Sequence, residues 1–451
     1  MNTSTAAHPL VADPAFPLLK QYLIESTGLA YYADKDADLA ARIGARLSQL
    51  TLRSCAAYLE LLKDRAAGES ERHLLIGQLT IGETYFFRHV EQLDGLRDRA
   101  IPELIEKNRD RRTLRIWSAG CAVGAEPYSI AIMLKQHFAT ALAGWDVRIL
   151  GTDINQAFLA TAERGVFEEN AFRSMPEESR RAWFTQSGRS WIIRPPVKEW
   201  VSFQYHNLVE HPYPSLVHGI AALDLILCRN VMIYFDWGVI ERILGRFHDC
   251  LVDGGWLAVG HAESNPDAFR RYKTVSVPGA TLYTKTGEDT PGHSAWVPPM
   301  LPVAPLSLAP VSPAPRAAHP LSDLTLIRRL ADEGKWLEAA SRCEETLALD
   351  ELNPIVHFLQ ALILEQMRRD EDAEAAFRRA IYLDRGFALA HYHLALLLAK
   401  TGRRASALLS LRNVERLLSN MRGQDRIADA DGLTAADLGE LTVMHMELWQ
   451  R

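Results

Sequence analysis

The stretch 114–132, LRIWSAGCAVGAEPYSIAI, constrains the fold more than any other part of the chain. Its first residues, 114–117, are β-prone and mostly apolar, as expected of a buried strand. Small residues follow from 118 to 124, and an apolar helical pattern starts at Pro127. This order lets the backbone approach a ligand closely where the sheet begins its crossover. We predict a nucleotide-like ligand here. A tight turn without a ligand is the alternative, because the spacing is neither G-x-G-x-x-G nor that of a P-loop.

An acidic residue, Asp153, closes the next predicted strand, 147–151. A carboxylate in this place can accept both hydroxyls of a ribose. It follows the glycine turn by more than thirty residues, whereas nicotinamide sites have a spacing of roughly 20. S-adenosylmethionine methyltransferases share this topology with looser glycine spacing and are therefore favoured. A helix N-cap ahead of 154–162 is an alternative role for Asp153 that is compatible with ligand contact.

The composition describes a globular protein of several domains. A chain of 451 residues with 48% hydrophobic and 24% charged residues is too long for one core, so two or three domains are expected. The net charge of −6 argues against a general affinity for nucleic acid or anionic membranes. The five cysteines contain no C-x-x-C pair, which suits a reducing cytosol and predicts neither disulfides nor a zinc site.

Targeting and metal signals are weak. The first sixteen residues show no basic segment followed by an apolar one, so no signal peptide is expected. No run approaches the roughly 18 apolar residues of a membrane span, and we predict a cytoplasmic protein. The spacing of His206, His211 and His218 is not that of a metal site, so no metal is predicted.

Residues 15–89 show helical periods and almost no strand signal. The clearest helix is within 38–53, where apolar residues form one stripe and a basic stripe recurs on another face. The basic stripe comprises Arg42, Arg46, Gln49 and Arg53. It is interpreted as a solvated face or, alternatively, as a docking surface for an acidic helical partner.

Strands and helices alternate from Arg112 to about Lys285, which predicts a largely parallel, covered sheet. The predicted strands are 114–118, 147–151, 201–205, 223–228, 256–260 and 281–285, with Gly254 and Gly255 as the turn into the fifth. The segment of about 165–200 fits this alternation poorly and is predicted to be an inserted helix with a small β excursion.

The composition changes between Thr290 and Pro320, where nine prolines occur. Such a segment predicts a stiff, extended linker. Beyond it, an internal repeat has a period of 34 residues. Its registers are Leu330, Leu364 and Leu398; Ala339, Ala373 and Ala407; and Leu349, Leu383 and Leu417, with Phe358 and Tyr392 in a further one that starts at Leu324. The period is that of tetratricopeptide repeats, and the last helical stretch, 434–449, would cap the open end of the solenoid.

Several motifs together resemble the CheR-type chemoreceptor glutamate methyltransferases. They are GETYFFR (82–88), SAGCAVGAEPYSIAI, GTDI (151–154), HNL (206–208), CRNVMIYF (228–235) and GHAE (260–263). The resemblance covers about 15–286. The remainder resembles a variant of the family in which the enzyme carries a C-terminal repeat module. The resemblance implies a doubly wound, Rossmann-like methyltransferase sheet with a helical N-terminal domain.

The resemblance also implies a set of residues that bind S-adenosylmethionine, with S-adenosylhomocysteine as the product. They are Thr84, Arg88, Gly120, Glu126, Asp153, Asn207, Leu208, Arg229 and Asn230. Four of them, Gly120, Asp153, Asn207 and Asn230, follow predicted strands, and ligands of such sheets bind at the carboxyl ends of the strands. Two departures from the family are Gly82, where asparagine is frequent, and Ala125, where an acidic residue is frequent. The short loop at 185–189 weakens any prediction that a receptor tail is gripped there.

The predicted reaction does not require a general base. The pKa of a glutamate side chain is near ~4.3, so its carboxylate is ionised at neutral pH and can attack the sulfonium methyl directly. The enzyme has to align the reacting atoms. Arg88, which can hold the carboxylate, and Tyr234, which can orient it, are the predicted catalytic residues. A half-buried aromatic at a strand end is the alternative for Tyr234.

We therefore predict the following organisation: a helical domain (15–89), a methyltransferase domain (90–286), a linker (287–321), three repeats (322–419) and a capping helix (420–451). The predicted function is methylation of chemoreceptor glutamates in chemosensory adaptation. The expected partners are the cytoplasmic helical domains of chemoreceptors and a protein or peptide in the repeat groove, without nucleic acid or membrane insertion. A scaffold that acts through the repeats is the alternative. A nucleic-acid methyltransferase is less favoured, since no basic, aromatic-interleaved surface is visible.

Overall fold

The computed structural model describes residues 8–64, 67–263, 268–286, 320–419 and 421–450. Its N-terminal part is helical, as the sequence predicts. The helices are α1 (Phe16–Thr27), α2 (Asp36–Gln49), α3 (Cys55–Lys63) and α4 (Glu69–Leu79). Acidic Asp36 and Asp38 occupy the first turn of α2, where they complement the helix dipole. The apolar faces of the four helices share one core.

Both interpretations of the basic stripe are wrong for its central residue. Arg46 is buried, and its guanidinium donates to both carboxylate oxygens of Glu71, at 2.9 and 2.5 Å. The Tyr58 hydroxyl donates to the same carboxylate at 2.5 Å. Arg42 donates to the Gln78 carbonyl oxygen. These arginines connect α2 to α4 inside the domain, whereas Arg53 is exposed.

The central part alternates helices and strands. Its helices are α5 (Val90–Gly95), α6 (Ile101–Lys107), α7 (Ala125–His137), α8 (Gln156–Arg164), α9 (Glu177–Trp183), α10 (Pro195–Lys198) and α11 (Trp237–Cys250). Its strands are β1 (Thr113–Ala119), β2 (Asp146–Asp153), β3 (Val166–Glu168), β4 (Phe184–Ser187), β5 (Ser190–Ile193), β6 (Val201–Tyr205), β7 (Leu223–Cys228), β8 (Leu251–Val259), β9 (Lys273–Val277) and β10 (Ala280–Thr284).

Seven strands form one sheet in the order β6-β2-β1-β7-β8-β10-β9. The first five are parallel, and β10 pairs antiparallel with β8 and β9. The predicted doubly wound, mostly parallel sheet is therefore confirmed. The strand order reverses between β1 and β7, and ligands bind at such switch points. The inserted segment forms the separate sheet β3-β5-β4 with α9 beside it.

Two details of the predicted sheet are wrong. The sequence analysis missed β9 because this edge strand is polar and largely exposed, so it has no apolar run. Gly254 and Gly255 lie inside β8, which starts at Leu251. The register with β7 shifts between Leu223 and Leu225, so the glycines form an irregularity within the strand and not a turn before it.

The C-terminal part is a helical solenoid. Its helices are α12 (Pro320–Asp332), α13 (Trp336–Leu349), α14 (Pro354–Gln366), α15 (Asp370–Leu383), α16 (Ala388–Lys400), α17 (Arg404–Leu418) and α18 (Ala435–Gln450). Helices α13, α15 and α17 start 34 residues apart, which confirms the repeat. Ala339, Ala373 and Ala407 are fully buried, as expected where helices cross closely, but Leu349 is 78% exposed and does not belong to the core.

The repeats pack against the sheet. No helix lies between β6 and β7, and this leaves one face of the sheet open to the solenoid. Leu216 and Ala222, which precede β7, belong to the same apolar core as the repeats. The two parts are therefore connected by direct packing as well as by the predicted linker. Most of the predicted linker, 287–319, lies outside the described residues.

The longest described helix, α18, has 16 residues, whereas a bilayer span takes about 20. Within the described ranges, no helix combines the length and the apolar character that crossing a membrane requires. The same residues contain no group of three or more histidine, cysteine or acidic side chains arranged to hold a metal ion.

Candidate functional site

One cavity lies at the carboxyl ends of β1, β2, β6 and β7. It encloses about 1140 Å³ of space, counted to its open mouth. All ten predicted site residues line it: Thr84, Arg88, Gly120, Glu126, Asp153, Asn207, Leu208, Arg229, Asn230 and Tyr234. The N-terminal helical part adds residues that the sequence analysis did not predict, namely Thr27, Leu29, Tyr31 and Tyr32. The structure thus brings motifs that are far apart in the sequence into one site.

The turn between β1 and α7 forms one wall. Gly120 has a φ of 76°, and a Cβ added to it would lie 2.4 Å from a methyl group of Val231. Glycine is therefore required here by the close approach of the neighbouring loop as well as by the left-handed conformation. Ala122 adopts a φ of 48°, and its N–H donates to the Asp153 carboxylate at 2.9 Å.

Asp153 closes this turn at the end of β2. Its second oxygen accepts from the N–H of Asn155 at 2.8 Å. Burial raises the pKa of the Asp153 carboxyl to about 6, although the backbone N–H groups that it accepts act in the opposite direction. The N-cap of α8 is Asn155, whose side chain accepts from the N–H groups at 157 and 158. The capping role considered for Asp153 is therefore wrong.

Glu126 and Arg229 form a largely buried pair in the wall of the cavity. The Arg229 guanidinium donates to Glu126 at 3.1 Å, and the Ser118 hydroxyl donates to the other carboxylate oxygen at 2.7 Å. Arg229 also donates to the Gln92 side chain at 2.7 Å and to the carbonyl oxygen of Arg88. The sequence analysis missed Ser118 and Gln92, which complete this network.

The motif GETYFFR is held from two sides, which positions Arg88. Phe86 is fully buried among the aromatic rings of the inserted subdomain, with Phe172 stacked on it at 5.2 Å. The N–H of Phe87 donates to the Ser129 hydroxyl on α7 at 3.0 Å. Phe87 and His89 have φ values of 58° and 56°, so Arg88 lies between two residues in a strained conformation.

Gly82 has a steric explanation. A Cβ at this position would lie 2.4 Å from the ring of Phe158, which also lines the cavity. A larger residue at this position therefore requires the ring of Phe158 to move.

Asn207 holds the N-terminal helices against the sheet. Its side-chain amide donates to the carbonyl oxygen of Ser26 at 2.8 Å, and its oxygen accepts from the N–H of Val209 at 3.0 Å. Asn207 is buried at the cavity wall. Its side chain therefore contributes to the construction of the wall.

The loop 230–234 depends on Glu263, which the sequence analysis quoted as part of a motif but gave no role. The Glu263 carboxylate accepts from the N–H groups of Asn230 and Val231 at 2.9 and 2.8 Å, and from that of Ile233 at 3.2 Å. Burial raises the pKa of this carboxyl above its usual range. Asn230 has a φ of 61°, and Glu263 holds the loop that carries Asn230 and Tyr234 in this conformation. An acidic residue just after β8 is the signal in the sequence.

The residues present fit an organic ligand with several polar groups. The side-chain oxygen of Asn230 and both ring nitrogens of His206 are buried at the cavity without a hydrogen-bond partner in the described structure. Such groups are costly to bury unpaired. Apolar and aromatic residues line much of the remainder, as in other pockets for small organic ligands. A nucleoside with an attached amino acid matches this mixture.

Comparisons with known proteins identify the family to which the chain is related. The family described as "CheR methyltransferase, SAM binding domain" matches residues 82–280, a range that contains every predicted site residue. Chemotaxis protein methyltransferase 2 of Vibrio cholerae is 30% identical over 256 residues, which cover 56% of this chain and 87% of that protein. Chemotaxis protein methyltransferase 1 of Pseudomonas aeruginosa is 30% identical over 278 residues, 60% of this chain and 98% of that protein.

A third relative extends further. The probable biofilm formation methyltransferase WspC of Pseudomonas aeruginosa is 28% identical over 361 residues, 75% of this chain and 84% of that protein. A match of this length reaches beyond the methyltransferase part. Among solved structures, the translocator chaperone SycD of Yersinia enterocolitica covers 29% of this chain and 82% of its own, at 15% identity and a TM-score of 0.26, a likeness too weak to support an inference. From the family match and the chemotaxis relatives, we conclude that the chain belongs to the CheR family of S-adenosylmethionine-dependent methyltransferases of chemotaxis signalling.

Proposed function

We propose that the chain methylates glutamate side chains of chemoreceptors, which gives methyl esters and S-adenosylhomocysteine. The observation that carries this proposal is the combination of side chains around the cavity. Arg88 and Tyr234 offer a cation and a hydroxyl to an acceptor. The three carboxylates that line the cavity, Glu83, Glu126 and Asp153, each accept a hydrogen bond from another group of the chain. An acceptor that is already ionised at neutral pH, such as a carboxylate, suits this site.

The candidates for a general base support the same conclusion. Burial holds the pKa of His206 well below its usual 6.5, so its imidazole is a weak base. Both oxygens of Glu126 are engaged by Ser118 and Arg229, and Asp153 accepts from the turn. The bound cofactor supplies an electrophilic methyl group on its sulfonium. The residues of this chain have only to align the acceptor with it and exclude water.

Arg88 and Tyr234 are suited to this alignment. One guanidinium nitrogen of Arg88 donates to the Glu83 carbonyl oxygen at 2.6 Å, and the fork has further N–H groups for a carboxylate. Tyr234 packs edge-on against Tyr31, with ring centres 5.8 Å apart. Burial raises the pKa of Tyr234, while the nearby charge of Arg88 opposes the rise. The phenol therefore stays protonated at neutral pH and can donate to the acceptor.

Tyr234→Phe is expected to lower kcat roughly tenfold or more while cofactor affinity stays close to wild type, because a hydrogen bond to a charged acceptor is lost. Steady-state kinetics and calorimetry with S-adenosylhomocysteine measure the two quantities. Tyr382→Phe removes a hydroxyl from an exposed tyrosine of α15 that does not line the cavity, and it is the matched control, expected to change neither. Equal losses of kcat and affinity in Tyr234→Phe would mean that the Tyr234 hydroxyl contacts the cofactor and not the acceptor.

Cofactor affinity is expected to fall as the pH is lowered through about 6. In the free protein the pKa of Asp153 is about 6, and two ribose hydroxyls that donate to its carboxylate would lower it. Binding below this pH therefore has to release a proton, and affinity should decline by up to about tenfold per pH unit. Calorimetry with S-adenosylhomocysteine between about pH 5 and pH 8 tests this. An affinity that does not change over that interval contradicts a ribose contact with Asp153.

The scaffold alternative lacks a comparable observation. All ten predicted residues line one cavity, and Glu126 and Arg229 among them form an ion pair. We propose an enzyme that works in the cytoplasm on the helical signalling domains of chemoreceptors. We also propose the division into a helical domain (15–89), a methyltransferase domain (90–286), a linker (287–321), repeats (322–419) and a capping helix (420–451).

The proposed function is tested by incubating the full chain and methyl-labelled S-adenosylmethionine with membranes that contain chemoreceptors. Label should enter a receptor band and be released by mild base, as expected of an ester. A chain that binds the cofactor but transfers no methyl group would favour the scaffold alternative.

A further inference from the structure

Helices α14 and α16 of the repeats face the sheet. We call the groove formed by Leu362, Glu365 and Gln366 on α14 and by Leu389, Tyr392 and Leu396 on α16 the repeat groove. These residues line one side of a cavity of about 1110 Å³, and Arg115, Arg148, Ser202 and Gln204 of the sheet line the other. The protein or peptide partner predicted for this groove would meet the sheet of the chain itself.

Polar contacts hold this interface together. The Arg115 guanidinium donates to the side-chain oxygen of Gln366 at 3.1 Å and to its carbonyl oxygen at 3.2 Å. It also lies over the Trp336 ring at 5.0 Å. Arg148 is 3.7 Å from Glu365. A buried arginine on a sheet face needs such partners, and the repeats supply them where a crossover helix is missing.

The segment 206–222, which connects β6 to β7, touches both the repeats and the cofactor cavity. Asn207 and Leu208 at its beginning line the cavity. At its other end, the Ser215 hydroxyl donates to the Asp431 carboxylate at 2.8 Å, and Leu216 lies in the core of the repeats. In between, the Tyr213 hydroxyl donates to the carbonyl oxygen of Leu208 at 3.0 Å. This hydrogen bond connects the beginning of the segment to its middle, two residues before Ser215.

A second connection starts from α18. The side chain of Gln156 donates to the Glu440 carboxylate, and His73 on α4 lies 3.6 Å from the same carboxylate. Gln156 is the first residue of α8, which follows Asp153 closely. The C-terminal helix therefore contacts α4 and α8, and these helices contribute Leu79 and Phe158 to the lining of the cavity.

We propose that docking of the repeats on the sheet holds the segment 206–222 in its cofactor-binding conformation and so raises the affinity for S-adenosylmethionine. The inference depends on the cofactor cavity and not on the proposed glutamate acceptor. The repeats act through positioning residues, since none of them lines the cofactor cavity in the described structure. Coupling between two sites is reciprocal, so the cofactor also strengthens docking. A partner that takes the repeat groove would weaken cofactor binding.

The test uses the full chain with Gln366→Ala and, separately, Ser215→Ala. Each variant removes a side chain that joins the two parts without lining the cofactor cavity. Arg403→Ala is the matched control, because Arg403 pairs with Glu374 on an exposed face of the repeats. Calorimetry gives the affinity for S-adenosylhomocysteine, and hydrogen exchange in α14 reports whether the interface has opened.

We expect faster exchange in α14 and an affinity at least about fivefold lower in both variants, with Arg403→Ala like wild type. Saturating S-adenosylhomocysteine should slow exchange in α14 of the wild-type chain. Faster exchange with unchanged affinity would overturn the proposal, and so would the lack of any effect of the ligand on α14. If neither variant opens the interface, adding Leu216→Asp places a carboxylate in the shared core, and the same comparison then decides. Methyl transfer to receptors is not needed for any of these readouts.

Discussion

Asp153→Ala is expected to reduce cofactor affinity by at least ten- to a hundredfold while the fold persists. The carboxylate is the acidic group at the end of β2, and losing a charged hydrogen-bond acceptor costs about 1.5–3 kcal/mol. It also accepts from the backbone of the β1–α7 turn at 2.9 Å, so its removal loosens the wall of the cavity. Calorimetry with S-adenosylhomocysteine measures the loss, and circular dichroism verifies the fold.

Two further variants separate the causes. Asp153→Asn retains a side-chain oxygen for the turn but not the charge, and it should recover part of the affinity. Asp253→Ala removes an exposed carboxylate near the start of β8 that does not line the cavity, and should bind like wild type. Wild-type affinity in Asp153→Ala would show that the cofactor lies elsewhere.

Arg229→Met is expected to lower the free energy of unfolding by about 3–5 kcal/mol, because it leaves the buried Glu126 carboxylate without its cation. Only 3% of the Arg229 side chain is exposed. Its guanidinium also connects β7 to Gln92 and to the backbone at Arg88. Arg88 should therefore lose its position, and methyl transfer should fall below detection. Chemical denaturation and a transfer assay measure the two effects.

The control for this prediction is a double-mutant cycle with Glu126→Gln. Neutralising the carboxylate should remove much of the penalty of Arg229→Met, because the unpaired charge is then absent. Arg229→Lys keeps the charge without the planar fork and should be intermediate. A loss of under about 1 kcal/mol in Arg229→Met would mean that water replaces the guanidinium and that the pair is not required.

The parts of the structure that follow from local patterns could be predicted from the sequence. The strand, turn and helix around Gly120 have a strong periodic signal, and the acidic end of β2 is recognisable because strand ends meet at one edge. The 34-residue period predicted the helical repeats, because each unit of such a solenoid has to stack on the next. These features depend on neighbours in the sequence or on an exact repeat.

The features that were missed depend on long-range packing. Arg46 is buried because it pairs with Glu71 on another helix. Helical periodicity shows only which residues share a face of one helix, so it could not predict this pair. The role of Glu263 depends on the hydrogen bonds between its carboxylate and the loop that carries Tyr234, which is distant in the sequence. The repeats dock on the sheet where no helix lies between β6 and β7. The sequence pattern did not predict that this crossover lacks a helix, so it could not predict the docking.

Methyl transfer to a glutamate carboxylate can be measured directly by mass spectrometry that assigns the modification to single residues. The full chain, S-adenosylmethionine and the cytoplasmic domain of a chemoreceptor from the same organism are incubated, and the receptor is digested and sequenced by fragmentation. We expect the added mass of one CH₂ group on specific glutamates, which is lost after mild base and is absent with Tyr234→Phe at short reaction times. Stable methylation of lysine, arginine or another non-carboxylate group, with unmodified glutamates, would contradict it.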